Sequence, residues 1–202
     1  MNIIILGGPG AGKGTICKKL VNEFNYKLIC SGDLLREEKA SGSKLGNQIA
    51  ELIDAGEFVP DEMITKIIYN QFKLPIEIDR YYLVDGYPRT VKQAISLDQM
   101  INTQIVLWIN VSDETTIKRN LNRGLTSGRP DDSNVEIIKK RLNDYKELSI
   151  PLKDYYDDCI IEIDGEGTPD EVYKEIVDTL FDTYKETYKE RRDVNDILDE
   201  DE

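Results

Sequence analysis

Short apolar runs and helically spaced apolar positions take turns along this chain. Asn2 to Leu6 is a compact apolar run cut off by glycines, which reads as a buried strand. Lys13 to Asn22 then carries Ile16, Leu20 and Val21 on one face of a helix. Tyr26 to Cys30 reads as a second short strand. Leu45, Ile49, Leu52 and Ile53 recur at helical spacing, with Gly56 placed to cap that helix at its C-terminus. Tyr81 to Val84 is a strand that stops at Asp85-Gly86. Gln104 to Val111 is the strongest strand signal. Ser112 follows as a helix cap, with Asp113 and Glu114 in the first turn. Ser133 and Glu136 form a capping box for another helix. Cys159 to Ile163 is a last strand. Val172, Ile176, Leu180, Phe181, Tyr184 and Tyr188 mark a long amphipathic final helix. Asp193 to Glu202 is dominated by acids and reads as a frayed, solvated tail.

Five strands separated by helices predict an α/β fold with a five-stranded parallel sheet and helices on both faces. Ligands in such sheets sit beyond the carboxyl ends of the strands. The loops after Leu6, Cys30 and Val84 are therefore the places to look for chemistry. The chain has 202 residues, which suits one compact domain.

Charge and composition remove several classes of function. The net charge of −13 argues against general nucleic-acid binding, although arginines can still be focused in one cleft. No run approaches the roughly 18 to 20 apolar residues of a membrane helix, and the first residues lack the basic start of a secretory signal. Histidine is absent, so His-based zinc sites and Ser-His or Cys-His catalysis are excluded. Cys17, Cys30 and Cys159 are widely separated, and reduced structural thiols in a cytoplasmic setting are the expectation.

Gly7-Gly8-Pro9-Gly10-Ala11-Gly12-Lys13-Gly14-Thr15 lies between the first strand and the first helix. Glycines let successive backbone N–H groups turn toward one anion, and the helix N-terminus adds its dipole. Lys13 supplies a full charge, and Thr15 a hydroxyl near a metal ion. With Lys-Gly-Thr rather than Lys-Ser or Lys-Thr, this loop resembles that of the adenylate kinase and UMP/CMP kinase group. Ser31-Gly-Asp-Leu-Leu-Arg36 and Asp85-Gly-Tyr-Pro-Arg-Thr90 resemble two further motifs of that family. The resemblance runs from about Asn2 to about Phe181.

It implies a P-loop three-layer fold with a helical monophosphate-binding insertion at 31–60 and a short lid at 124–132. The domain is then 1–182, and 183–202 is the end of the last helix and the acidic tail. Gly10, Ala11, Gly12, Lys13, Gly14, Thr15, Arg119, Arg123 and Gly167 are implied at the ATP site. Ser31, Arg36, Glu57, Phe58, Val59, Gly86, Tyr87, Pro88, Arg89, Gln93, Arg129 and Arg141 are implied at the AMP site. Lys13, Arg89, Arg123, Arg129 and Arg141 carry catalysis, because arginine forks grip phosphate oxygens and never deprotonate. Asp85 is implied to hold Mg²⁺ through water. Asp131 and Asp132 either assist that ion or cap the helix after them. The short lid has no cysteine, so no zinc is expected.

The activity implied is reversible phosphoryl transfer from Mg-ATP to AMP by a monomer that binds neither nucleic acid nor membrane. A UMP/CMP kinase is the alternative, and Gln93 and Ser31 lean toward AMP. A regulatory GTPase-like switch is disfavoured by the absence of an Asn-Lys-x-Asp motif.

Overall fold

The computed structural model describes residues 1–55, 57–73, 81–127 and 132–199, with side chains as far as Lys185 except at 126 and 127. Gly56, Arg129 and Asp131 therefore lie outside the described residues. Five parallel strands form one sheet: β1 (Ile3–Gly7), β2 (Lys27–Cys30), β3 (Tyr82–Asp85), β4 (Ile105–Asn110) and β5 (Ile160–Asp164), in the order β2-β3-β1-β4-β5. Nine helices are described: α1 (Lys13–Phe24), α2 (Ser31–Ala40), α3 (Lys44–Asp54), α4 (Asp61–Phe72), α5 (Val91–Asp98), α6 (Asp113–Ser127), α7 (Val135–Ser149), α8 (Pro151–Tyr155) and α9 (Pro169–Asp199).

Side chains alternate across each strand, and this sorts the core into two layers. Ile4, Leu6, Val84, Val106 and Trp108 face Ile49, Ile64, Ile68, Ala94 and Leu97 from α3, α4 and α5. Ile3, Ile5, Leu83, Leu107 and Ile109 face Ile16 and Leu20 of α1, with Ile176 and Leu180 of α9. β1 is central, which is why its five residues are all buried and nearly all aliphatic. In register, Ile5 stands beside Asp85 of β3 and Leu107 of β4. The strand order places β1 and β3 side by side at the point where successive connections diverge, so their carboxyl ends open into one crevice.

Three boundaries differ from the sequence pattern. Helix α6 runs to Ser127, through Gly124 and the first residues assigned to the lid. Helix α7 is capped by Asn134 rather than Ser133: the Asn134 carboxamide accepts from the backbone N–H groups of Glu136 and Ile137. Asn134 competes on equal terms with serine for that position, and the turn after Asp132 puts it one residue closer to the helix. Helix α9 continues to Asp199, through most of the segment expected to be a frayed tail. No described helix is long and apolar enough to cross a membrane.

Candidate active site

The loop between β1 and α1 is shaped by glycines at left-handed positions. Gly10 and Gly12 have φ of 81° and 90°, where a side chain is strained. Gly12 ends the loop by accepting backbone bonds from Thr15 and Ile16, which start the helix. Lys13 curls back so that its Nζ donates to the carbonyls of Gly7 (2.7 Å) and Gly8 (2.9 Å). Burial lowers its pKa to about 8; nearby Asp85 pushes the other way, and Arg89 adds to the lowering.

Across the crevice, the turn after β3 collects a second set of polar groups. The Gly86 carbonyl accepts from both the Ser31 hydroxyl (2.8 Å) and Arg89 Nε (2.9 Å). The Arg89 guanidinium lies 4.9 Å from the centre of the Phe58 ring. Burial, then the charge of Arg141, lowers its pKa to about 10. Its backbone is held on both sides: its N–H donates to Gln93 Oε1 (2.7 Å), and its carbonyl accepts from Ser149 (3.1 Å). Asp85 is 7% exposed at the end of β3 and accepts from the Cys30 thiol at 3.5 Å. Arg36, one turn along α2, pairs with Asp33.

At the other end of the crevice, Arg119 wraps the loop after β5. Its guanidinium donates to the carbonyls of Gly165 (2.8 Å), Glu166 (3.2 Å) and Gly167 (3.1 Å). Asp132 is fully buried between two arginines. Arg123 grips it with Nε (2.6 Å) and Nη2 (2.8 Å), and Arg141 reaches it at 3.3 Å. The carboxylate therefore serves as an arginine partner, while the cap of α7 is Asn134. No local pattern announces this pairing, because its partners stand nine residues apart on either side of Asp132.

These groups line one cavity of about 590 Å³. Of the residues expected at the site, Gly10 to Thr15, Ser31, Arg36, Phe58, Asp85, Gly86, Pro88, Arg89, Arg119, Arg123, Arg141 and Gly167 are on its wall. Four are elsewhere. Glu57 is exposed and pairs with Lys140 at 3.4 Å. Val59 is in the core. The Tyr87 side chain is fully buried, with its hydroxyl 2.9 Å from that of Thr65. Gln93 is 4% exposed behind Arg89, and its amide nitrogen donates to Asp61 at 2.6 Å. The sequence reading did not single out Cys30, Tyr145, Gly165, Pro169 or Val172 as cavity wall. Tyr145 packs beside Gly8 and Trp108, and its buried hydroxyl has no partner among the described residues.

A phosphate-cradling loop at the end of a central parallel strand, faced by arginines from four other elements, defines a P-loop phosphotransferase acting on small phosphate compounds. The sequence profile of the adenylate kinase family matches residues 5–161. The chain is 38% identical to adenylate kinase isoenzyme 1 of Sus scrofa over 184 residues, covering 88% of this chain and 94% of that protein. It is 40% identical to adenylate kinase isoenzyme 1 of Cyprinus carpio, covering 87% and 91%. It is 37% identical to uridylate kinase of Saccharomyces cerevisiae, covering 88% and 89%. The chain belongs to the adenylate kinase family, and is thus a nucleoside monophosphate kinase.

Proposed function

We propose that this chain moves the terminal phosphoryl group of Mg-ATP to AMP, giving two ADP, and runs the reaction in both directions. The observation that carries this reading is the convergence of Lys13, Arg89, Arg123 and Arg141 on one cavity in a chain of net charge −13. Such a site is built for several phosphate groups at once. The glycine loop and Lys13 cradle the donor phosphates. Arg119 stacks over the donor base, braced on the carbonyls of the loop after β5. Arg36 and Arg89 hold the acceptor phosphate. Arg123, Arg141 and, by resemblance, Arg129 meet the transferring group.

The attacking oxygen belongs to the monophosphate and is already anionic at neutral pH. No general base is needed, which fits a chain without histidine. The protein's task is orientation and charge stabilisation. Among the described residues, no group of three carboxylate or thiol side chains is placed to cage an ion. One carboxylate at the cavity wall, Asp85, suits Mg²⁺ that shares its shell with nucleotide oxygens and water. Bound there, the ion would neutralise charge on the donor phosphates, with Thr15 and Asp85 as its protein partners. A monomer in the cytoplasm is the setting that goes with this reading.

The test is a steady-state screen of AMP, UMP, CMP, GMP and dAMP against Mg-ATP. AMP is expected to give the highest kcat/KM. UMP or CMP matching it would move the acceptor assignment to the UMP/CMP group. Hydrolysis of ATP indifferent to every monophosphate would remove the transfer reading altogether. Gln93→Asn is part of the same screen. Because Gln93 braces the Arg89 backbone and Asp61, the shortened amide is expected to lower kcat with every acceptor as well as to erode the preference for AMP.

A further inference from the structure

Asn120 is fully buried on the inner side of α6, between the phosphate loop and Arg123. A carboxamide in that position is costly unless its hydrogen bonds are made, and here both ends are used. Its Nδ2 donates to the Thr116 carbonyl one turn back, at 2.7 Å, which fixes the plane of the amide. Its Oδ1 accepts from Arg123 Nη2 at 2.6 Å. Asp132 takes Nε and the other hydrogen of Nη2. The guanidinium is therefore held at one edge by a carboxylate from beyond the lid and by an amide from its own helix.

The same amide touches the phosphate loop. A Cβ built on Gly10 would fall 2.5 Å from Asn120 Nδ2 and 2.9 Å from the Thr116 carbonyl. There is no slack between loop and amide, or between amide and arginine. An aliphatic side chain would fill the space without the desolvation cost, but could not accept from Nη2. We infer that Asn120 is a positioning residue that keeps the Arg123 guanidinium in register with the phosphate loop, so that the arginine meets the transferring group without first being reoriented. The inference rests on the proposed role of Arg123 in transfer.

Asn120→Leu removes both bonds with a side chain of the same branching. It is expected to lower kcat about tenfold, the scale of one aligned bond to a charged group, while KM for ATP and AMP stays nearly unchanged. If leucine crowds Gly10 and the protein fails to fold, Asn120→Ala removes the same bonds without added bulk and takes its place. Arg123→Lys and the Asn120→Leu/Arg123→Lys double variant complete a cycle. Arg123→Lys should lose most turnover, and Asn120→Leu should cost little more in that background. Wild-type kcat in Asn120→Leu, or an equal further loss with and without Arg123, overturns the positioning role. Full turnover in Arg123→Lys would instead remove the role of Arg123, and the inference with it.

Discussion

Lys13 gives its ammonium to two carbonyls of its own loop. Burial holds its pKa near 8, below the ordinary 10.5. The folded state without nucleotide therefore binds fewer protons than the unfolded chain between those values. This group's contribution to stability then rises as pH climbs from about 8 to 10.5, and charged Lys13 weighs against the fold below about 8. Triphosphate brings anions that favour the charged form. Mg-ATP binding near pH 8 should accordingly take up a proton, seen as a calorimetric enthalpy that depends on the buffer's ionisation enthalpy; a buffer-independent enthalpy would count against it. Lys13→Met should keep the fold and remove most turnover, and near-normal rates would sink the phosphate-loop assignment. Arg89 offers a contrast. Its Nε is bonded to Gly86, and its plane lies near the Phe58 ring. Arg89→Ala should lower kcat roughly 100- to 1000-fold. Arg89→Lys should not rescue it, because an ammonium can neither bond Gly86 through Nε nor grip a phosphate with a planar fork.

Helices α6 and α7 meet at Asp132, which ties Arg123 of one to Arg141 of the other. Removing a buried partner leaves two guanidinium groups facing each other. Asp132→Ala should cost about 3 kcal/mol in thermal or denaturant unfolding, and bound Mg-ATP should recover part of the loss by supplying anions to the same arginines. This arrangement marks the limit of what the chain's pattern disclosed. The five strands, the glycine loop and the arginine set were readable because period, punctuation and motif are local. The partner of Arg123 was not, since it lies nine residues on, across the lid. Helix α8 carries too little periodic signal to read, because it is five residues long and exists where Pro151 restarts a chain that has just left α7. Helix α4 escaped notice although Pro60, then Asp61 and Glu62 in a first turn, announce it. The burial of Gln93 behind Arg89 depends on α4 supplying Asp61, so an amide that looked free to read a base is also a brace.

The molecule as a whole is a five-stranded sheet with helical covers on both faces. Among the residues whose side chains are described, the last buried position of α9 is Leu180, and the helix runs to Asp199. A chain ending after Lys185 should keep its turnover and melt within a few degrees of the full protein; a large fall in either would give the acidic end a part in the fold. EDTA should abolish activity and Mg²⁺ restore it, with no zinc in elemental analysis; stoichiometric zinc would overturn the reading of the lid. The register of Ile5 with Asp85 has a wider meaning. On the proposed reading, the donor loop and the acceptor turn leave neighbouring strands, which hydrogen bonding sets roughly 4.8 Å apart. The sheet is thus a gauge, and the helices beyond β2 and β3 are jaws fitted to it. Relatives named for two different monophosphates stand at 38% and 37% identity to this chain, as expected if the gauge stays fixed while the jaws are exchanged. Retargeting such a scaffold to another base is then a matter of refitting the grip, with the stroke of the machine left as it was.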